Sequence, residues 1–284
     1  IKTQIYATLL GFLLIIIICT LDMDVIKKAY IPVYIISVIL LGLTIFFGKG
    51  GEEWGSDSWL VLGPISIQPS EITKIGIIFS LAAHIDKNKG KINEVPTLLL
   101  TLVAIAIPIG LILLQPDFGT AMVYIFMIAV MLFVAGLSWK WILILMGIGA
   151  VGFIFMLLNL EGYKANRILD FIDPARDTSG SGWQQQQGLK AIGSGMLRGR
   201  GYMQGTQSQY GYIPEKETDY IFSVLAEELG FIGSAVMMLL FAIMVLRLIK
   251  IAKKSNDTFI SLLVSGICGM FFIHIYENVG MTIG

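Results

Sequence analysis

The sequence predicts an all-α protein: a polytopic transmembrane helix bundle with one large outward-facing loop. Three observations carry that prediction. Mean hydropathy is +0.79 over 284 residues, beyond what a water-soluble domain sustains. Eight apolar runs recur, most of them about 20 residues long, the length that crosses the hydrocarbon core of a bilayer as a helix. Lys and Arg gather on alternate connections between those runs, the asymmetry that orients a membrane protein.

In chain order the spans fall near 4–21, 29–48, 71–86, 96–114, 119–137, 140–159, 218–251 and 258–280. The span at 71–86 is short and carries Glu71, Lys74 and His84, so a tilted or broken helix is expected there. The run at 218–251 is long enough to protrude from the membrane at one end. Lys27 and Lys28, then Lys87, Lys89 and Lys91, then Lys140, then Arg247, Lys250, Lys253 and Lys254 mark the cytoplasmic connections. Connections 49–70, 115–118 and 160–217 therefore face outward. A structureless loop as long as the last is uncommon and usually functional. Inside it, Trp183 to Ile192 reads as an amphipathic helical piece suited to lying along the membrane surface, followed by a Gly-rich turn.

Residues 1–284 read as a single integral membrane domain, with 160–217 as its large outer loop. The chain opens at Ile1, is apolar by Ile5 and stops at Gly284 without a polar tail, which reads as part of a longer protein. Its first run lacks the small-residue cleavage site of a signal peptide.

Composition also excludes functions. Twenty basic and twenty acidic residues leave no net charge to attract nucleic acid. Cys19 and Cys268 each sit inside an apolar run, as small buried side chains rather than a disulfide or metal pair. His84 and His274 lack ligand spacing, and there is no phosphate-binding loop, zinc motif or nucleophile elbow. What remains is a set of carboxylates and cations at the outer ends of spans, where charge near lipid usually marks a site.

"IQPSEITK" sets Glu71 and Lys74 three apart on one helical face. Their alternative reading is an i,i+3 ion pair closing a helix end. "LQPDFGTA" puts Asp117 in a tight turn, where a helix cap is the plainer account. "PEKETDYIF" puts Asp219 after Thr218 at the head of the seventh span, with Glu227 and Glu228 two to three turns deeper. A first-turn acid gains only about 0.3–1 kcal/mol from the helix dipole. Capping explains one acid there, not five beside Lys216.

"DSWLVLGPISIQPSEITKI", "LLQPDFGTAMV", "RILDFIDPARDTSGSGWQQQQGLKAIGSG" and "GRGYMQGTQSQYGYIPEKETDYIFSVLAEELGFIGS" resemble, in order, the signatures of the SEDS family, which includes RodA, FtsW and SpoVE. The resemblance runs from Trp59 to "ENVGMTIG", and "GTQSQ" with "IPEKETDYIFSVLAEE" is more similar to the RodA branch. It implies a ten-span fold of which the first and last helices are missing here. It further implies polymerisation of lipid II into peptidoglycan strands on the outer face of the cytoplasmic membrane, beside a class B penicillin-binding protein. Asp219 matches the family's essential acid. Trp59 matches a functional outer-loop tryptophan, and Glu71 with Lys74 the "QPSE-x-x-K" motif. Arg167 stands in the motif before "DP", and Gln184 and Gln187 match a recurrent "YQ-x-x-Q". Ser58 stands where a basic residue usually precedes the tryptophan, Trp183 where Tyr is common, and Gln185 and Gln186 where apolar residues are.

The resemblance implies an inverting glycosyltransferase in which Asp219 takes the proton of a sugar hydroxyl and undecaprenyl diphosphate departs. Arg167, Lys74, Arg198, Arg200 and Lys216 are candidates to stabilise the diphosphate. Asp117, Gln184, Gln187 and Glu228 complete the expected substrate contacts. The diphosphate of the substrate supplies the energy, so no nucleotide is needed, and a divalent cation (Mg or Mn) bridging acid and diphosphate is compatible with this chemistry. The rival reading is a lipid II flippase or other lipid-linked substrate transporter, although transporters tend to place ionisable groups near the bilayer midplane.

Overall fold

The structure, a computed structural model, describes residues 2–20, 22–50, 56–63, 65–158, 181–213 and 215–283. Helices α1 (Lys2–Thr20), α2 (Met23–Lys28) and α3 (Tyr30–Phe47) precede a hairpin of β1 (Leu60–Leu62) and β2 (Ile65–Ile67). Then come α4 (Pro69–Lys87), α5 (Val95–Leu114), α6 (Phe118–Val134) and α7 (Trp139–Leu158). The outer loop contributes α8 (Ser181–Gly195) and α9 (Thr206–Gln209), before α10 (Ile221–Lys254) and α11 (Thr258–Ile283). All eight expected spans are helices, with ends within a few residues of those read from hydropathy.

By length and apolarity α3, α5, α10 and α11 each suffice to cross a membrane, and α1, α6 and α7 contain shorter apolar stretches. Large apolar side chains are exposed along nearly every one of these helices, Phe12, Phe46, Leu100, Phe133 and Leu240 among them. In water that would be an aggregation surface; in a bilayer it is the lipid-facing wall.

Two compact units divide the chain. The first comprises residues up to Ile125 together with Asp257–Leu263. At its centre lies α4, whose Thr73, Lys74, Ile77, Ile78, Leu81 and Ala82 are buried. Gly76 lets α3 approach so closely that a Cβ there would run into the Ser37 hydroxyl. The expected break in α4 is absent. Its polar side chains find partners instead, Lys74 with Glu71 and His84 with Thr101, so the helix crosses the unit's interior intact. Lys27 on α2 reaches Asp257 at 2.7 Å and Asp86 at 3.6 Å, and lies over the Phe259 ring.

The second unit comprises Phe126–Asn256 and Val264–Gly284. Here α6 meets α11 through stacked Phe126 and Phe272, with Gly269 packed on Met127 and Val130. The long seventh span is not one rod. At Gly230 the backbone turns to φ 67°, ψ −166°, a conformation open to little but glycine. The break strips helical partners from nearby backbone groups, and the outer loop replaces them. Arg200 and Gly201 N–H donate to the carbonyls of Glu227 and Glu228, while Phe231 and Ile232 N–H donate to those of Met196 and Leu197. Unpaired, such groups would be costly at membrane depth.

The loop helix α8 packs on the first turns of α10. Gly188 seats on Tyr220 and Ser223, and Gly195 on the Ala226 carbonyl, each too close to admit a Cβ without movement. Ala191, Ile213 and Tyr220 make a small core there.

Candidate active site

The expected site residues divide between the two units. In the first unit, Trp59 is half-buried and its backbone pairs with Lys49 in both directions. Ser58, standing where a basic residue was expected, is buried and exchanges a hydrogen bond with Ser56. Asp117 caps α6: its carboxylate accepts from the Thr120 N–H at 3.1 Å and the Thr120 hydroxyl at 2.9 Å. The Gln68 amide donates to the same carboxylate at 3.0 Å, tying the start of α4 to the turn before α6. Lys74 is 1% exposed, with its ammonium 2.7 Å from the half-exposed Glu71. A buried cation needs such a counter-charge, so the ion-pair reading of this motif describes what is built. Gln68 and Tyr124 escaped the sequence reading. The latter is buried, with its hydroxyl on Thr73 and the Ser70 carbonyl; a lone tyrosine in an apolar run gave no warning of it.

In the second unit the acids separate into two kinds. Glu227 is 0% exposed. Its carboxylate accepts the N–H groups of Gln207 at 2.8 Å and Ser208 at 2.9 Å, with the Thr206 and Ser194 hydroxyls at 3.4 Å. Gly205 passes so near this carboxylate that a side chain would displace it. Glu228, expected as a substrate contact, is 9% exposed and accepts from the Gln209 amide. Lys216, another expected contact, donates to the Ser208 carbonyl at 2.8 Å. The two glutamates fasten the outer loop to α10, and Lys216 ties the end of the loop back to α9. Glu227→Ala should strand two buried backbone donors at about 1–3 kcal/mol each. Thermal unfolding in detergent should register the loss, and proteolysis should begin between Gly195 and Gly211.

Asp219 is of the other kind. It lies before α10, whose N-cap is Tyr220 and whose first turn contains no acid. The capping account therefore fails for Asp219, and Thr218 points its hydroxyl to Glu215 rather than into the helix. The Asp219 side chain is exposed and forms no ion pair among the described residues. Partial desolvation raises its pKa above the ordinary aspartate value; nearby Glu215 adds to the rise and a hydrogen bond from Thr218 opposes it.

Gln184 is half-buried and Gln187 buried, both on α8. Arg198 and Arg200 are exposed on the loop strand beside the α10 break, with Arg200 Nε donating to Ser194. Arg167 lies outside the described residues. Among the described residues no three His, Cys, Asp or Glu side chains gather to hold a metal.

Fold and site together define a polytopic helical membrane protein whose acidic turn sits at the head of a span, under a folded outer loop. The profile of the cell cycle protein family of FtsW, RodA and SpoVE matches residues 1–284. The probable peptidoglycan glycosyltransferase FtsW of Trichlorobacter lovleyi is 35% identical over all of this chain and 74% of its own length. Peptidoglycan glycosyltransferase MrdB of Escherichia coli K12 is 36% identical, over 88% of this chain and 67% of its own. Stage V sporulation protein E of Bacillus subtilis is 38% identical, over 88% and 68%. Among solved structures, a chain of a peptidoglycan synthase complex superposes at a TM-score of 0.83, with 31% identity, 99% of this chain and 78% of that chain covered. RodA of Thermus thermophilus gives 0.70, with 28% identity, 99% and 75%. The chain belongs to the FtsW/RodA/SpoVE family.

Proposed function

We infer that this protein is a peptidoglycan glycosyltransferase that joins lipid II units into glycan strands at the outer face of the bacterial cytoplasmic membrane. One observation supports the chemistry most: a carboxylate at the head of a membrane span, exposed, held by no ion pair among the described residues and raised in pKa. A sugar hydroxyl attacks poorly unless a positioned base takes its proton as the bond forms. Asp219 is that base in this reading. The acceptor's 4-hydroxyl attacks the anomeric carbon of the lipid-linked strand with inversion, its proton passes to Asp219, and the bond to undecaprenyl diphosphate breaks.

Charge on the departing diphosphate calls for cations. Arg198 and Arg200 are the exposed ones on the loop segment beside the α10 break, Arg200 with its Nε on Ser194, whereas Lys74 and Lys216 are buried or half-buried against Glu71 and the Ser208 carbonyl. We assign cross-linking to a class B penicillin-binding protein bound to this chain, in keeping with the peptidoglycan synthase complex it resembles.

The test is incubation of the full chain with purified lipid II in detergent, where there is no membrane to cross. A ladder of glycan strands is the expected result. Lipid movement in vesicles without a ladder in detergent would turn the assignment to a flippase.

A further inference from the structure

Asn278 is a half-buried amide near the end of helix α11, next to the paired His274 and Glu277. Its Nδ2 donates to the backbone carbonyl of Asp219 at 3.1 Å and reaches that of Thr218 at 3.5 Å. Both partners are acceptors only, so the amide nitrogen, not its oxygen, must face them. The turn they belong to has one firm backbone bond, Tyr220 N–H to Glu215 O at 3.1 Å, and two long ones, Thr218 N–H to Glu215 O and Ile221 N–H to Thr218 O at 3.4 Å each. Helical bonding begins one residue later, where the Val224 N–H returns to the Tyr220 carbonyl. The Asp219 carbonyl thus lies just outside the α10 ladder, and Asn278 ties it to a second helix.

We propose that Asn278 is a positioning residue for glycosyl transfer: by anchoring the Thr218 and Asp219 carbonyls to α11 it sets the direction of the Asp219 carboxylate. The proposal rests on Asp219 as the base. A reacting group must be held close to its productive geometry, and small misplacements cost rate rather than binding.

The experiment measures strand synthesis by the full chain over a range of lipid II concentrations. Asn278→Ala deletes the donor, and kcat should fall roughly tenfold, the scale of one hydrogen bond, with KM nearly unchanged. Asn278→Asp keeps the shape but turns an acceptor toward two carbonyls, so its kcat should fall further. Asn278→Gln retains the amide and should recover part of the loss. A residue needed only for folding would lower the thermal midpoint and active fraction alike in all three variants, without this order in kcat. If Asn278→Asp does not fold, Asn278→Ala and Asn278→Gln decide alone. A wild-type kcat in Asn278→Ala overturns the proposal, as does an equal loss in Asn278→Ala and Asn278→Gln. Asp219→Asn is the separate arm: should it polymerise normally, the base assignment itself fails. Should it be inactive while Asn278→Ala keeps full kcat, only the positioning role fails.

Discussion

Asp219→Asn is expected to lower glycan synthesis by at least about 100-fold, the contribution of a positioned general base, while leaving the protein folded. The substitution is nearly isosteric and the side chain is exposed, with no ion pair to lose among the described residues. Thermal unfolding should therefore match wild type, which separates this effect from a structural one. The pH dependence follows from the raised pKa. A base works only when deprotonated, so the rate climbs with pH through the folded-state pKa, and the acid limb lies above the usual aspartate value of about 3.9. The stability linkage runs the opposite way for this residue. Because its folded pKa exceeds the unfolded one, ionising Asp219 costs the fold something, and acidification relieves that cost. A limb at or below the ordinary aspartate value would count against Asp219 as the titrating base.

Gly230→Ala should unfold the outer loop, with a loss of roughly 3 kcal/mol or more. Two effects combine. A non-glycine residue at φ 67°, ψ −166° costs on the order of 1–3 kcal/mol by itself. Its Cβ would also collide with the backbone of Arg198 and Gly199, the strand whose neighbours bond the groups freed by the break. The expected readout is early loss of amide-exchange protection at Arg200, Gly201, Phe231 and Ile232, with activity falling alongside. Gly147→Ala is the control. It lies in α7, where an added Cβ meets nothing within 4 Å, and there the change should be neutral or slightly stabilising. Equal behaviour of the two variants would mean that the break does not hold the loop.

Much of this architecture was legible from the chain because lipid simplifies the code. A span needs only length and apolarity, and those are local properties, so hydropathy placed all eight helices. What escaped depends on partners distant in sequence. Glu71, Lys74 and His84 suggested a broken span, yet each is matched by a neighbour, and α4 runs through the unit's interior unbroken. Glu227 and Glu228 looked like part of a site at the outer end of the span; their partners at Gln207, Ser208 and Gln209, some twenty residues earlier, fasten the loop to α10. Asp117 was read correctly as a cap because a cap is a short-range device. Gly230 was visible as a glycine, but nothing local distinguished it from the glycines that simply line helices. Asn278 gave one signal, an amide near the end of a membrane span, and its partner some sixty residues away gave none.

The interruption at Gly230 has a mechanical consequence. A membrane helix meets thicker or thinner bilayers by tilting at a modest cost per ångström. The loop bonds α10 on both sides of the break, at Glu227 and Glu228 before it and at Phe231 and Ile232 after it. Tilt of residues 231–254 is therefore passed on to the folded loop rather than absorbed at the glycine.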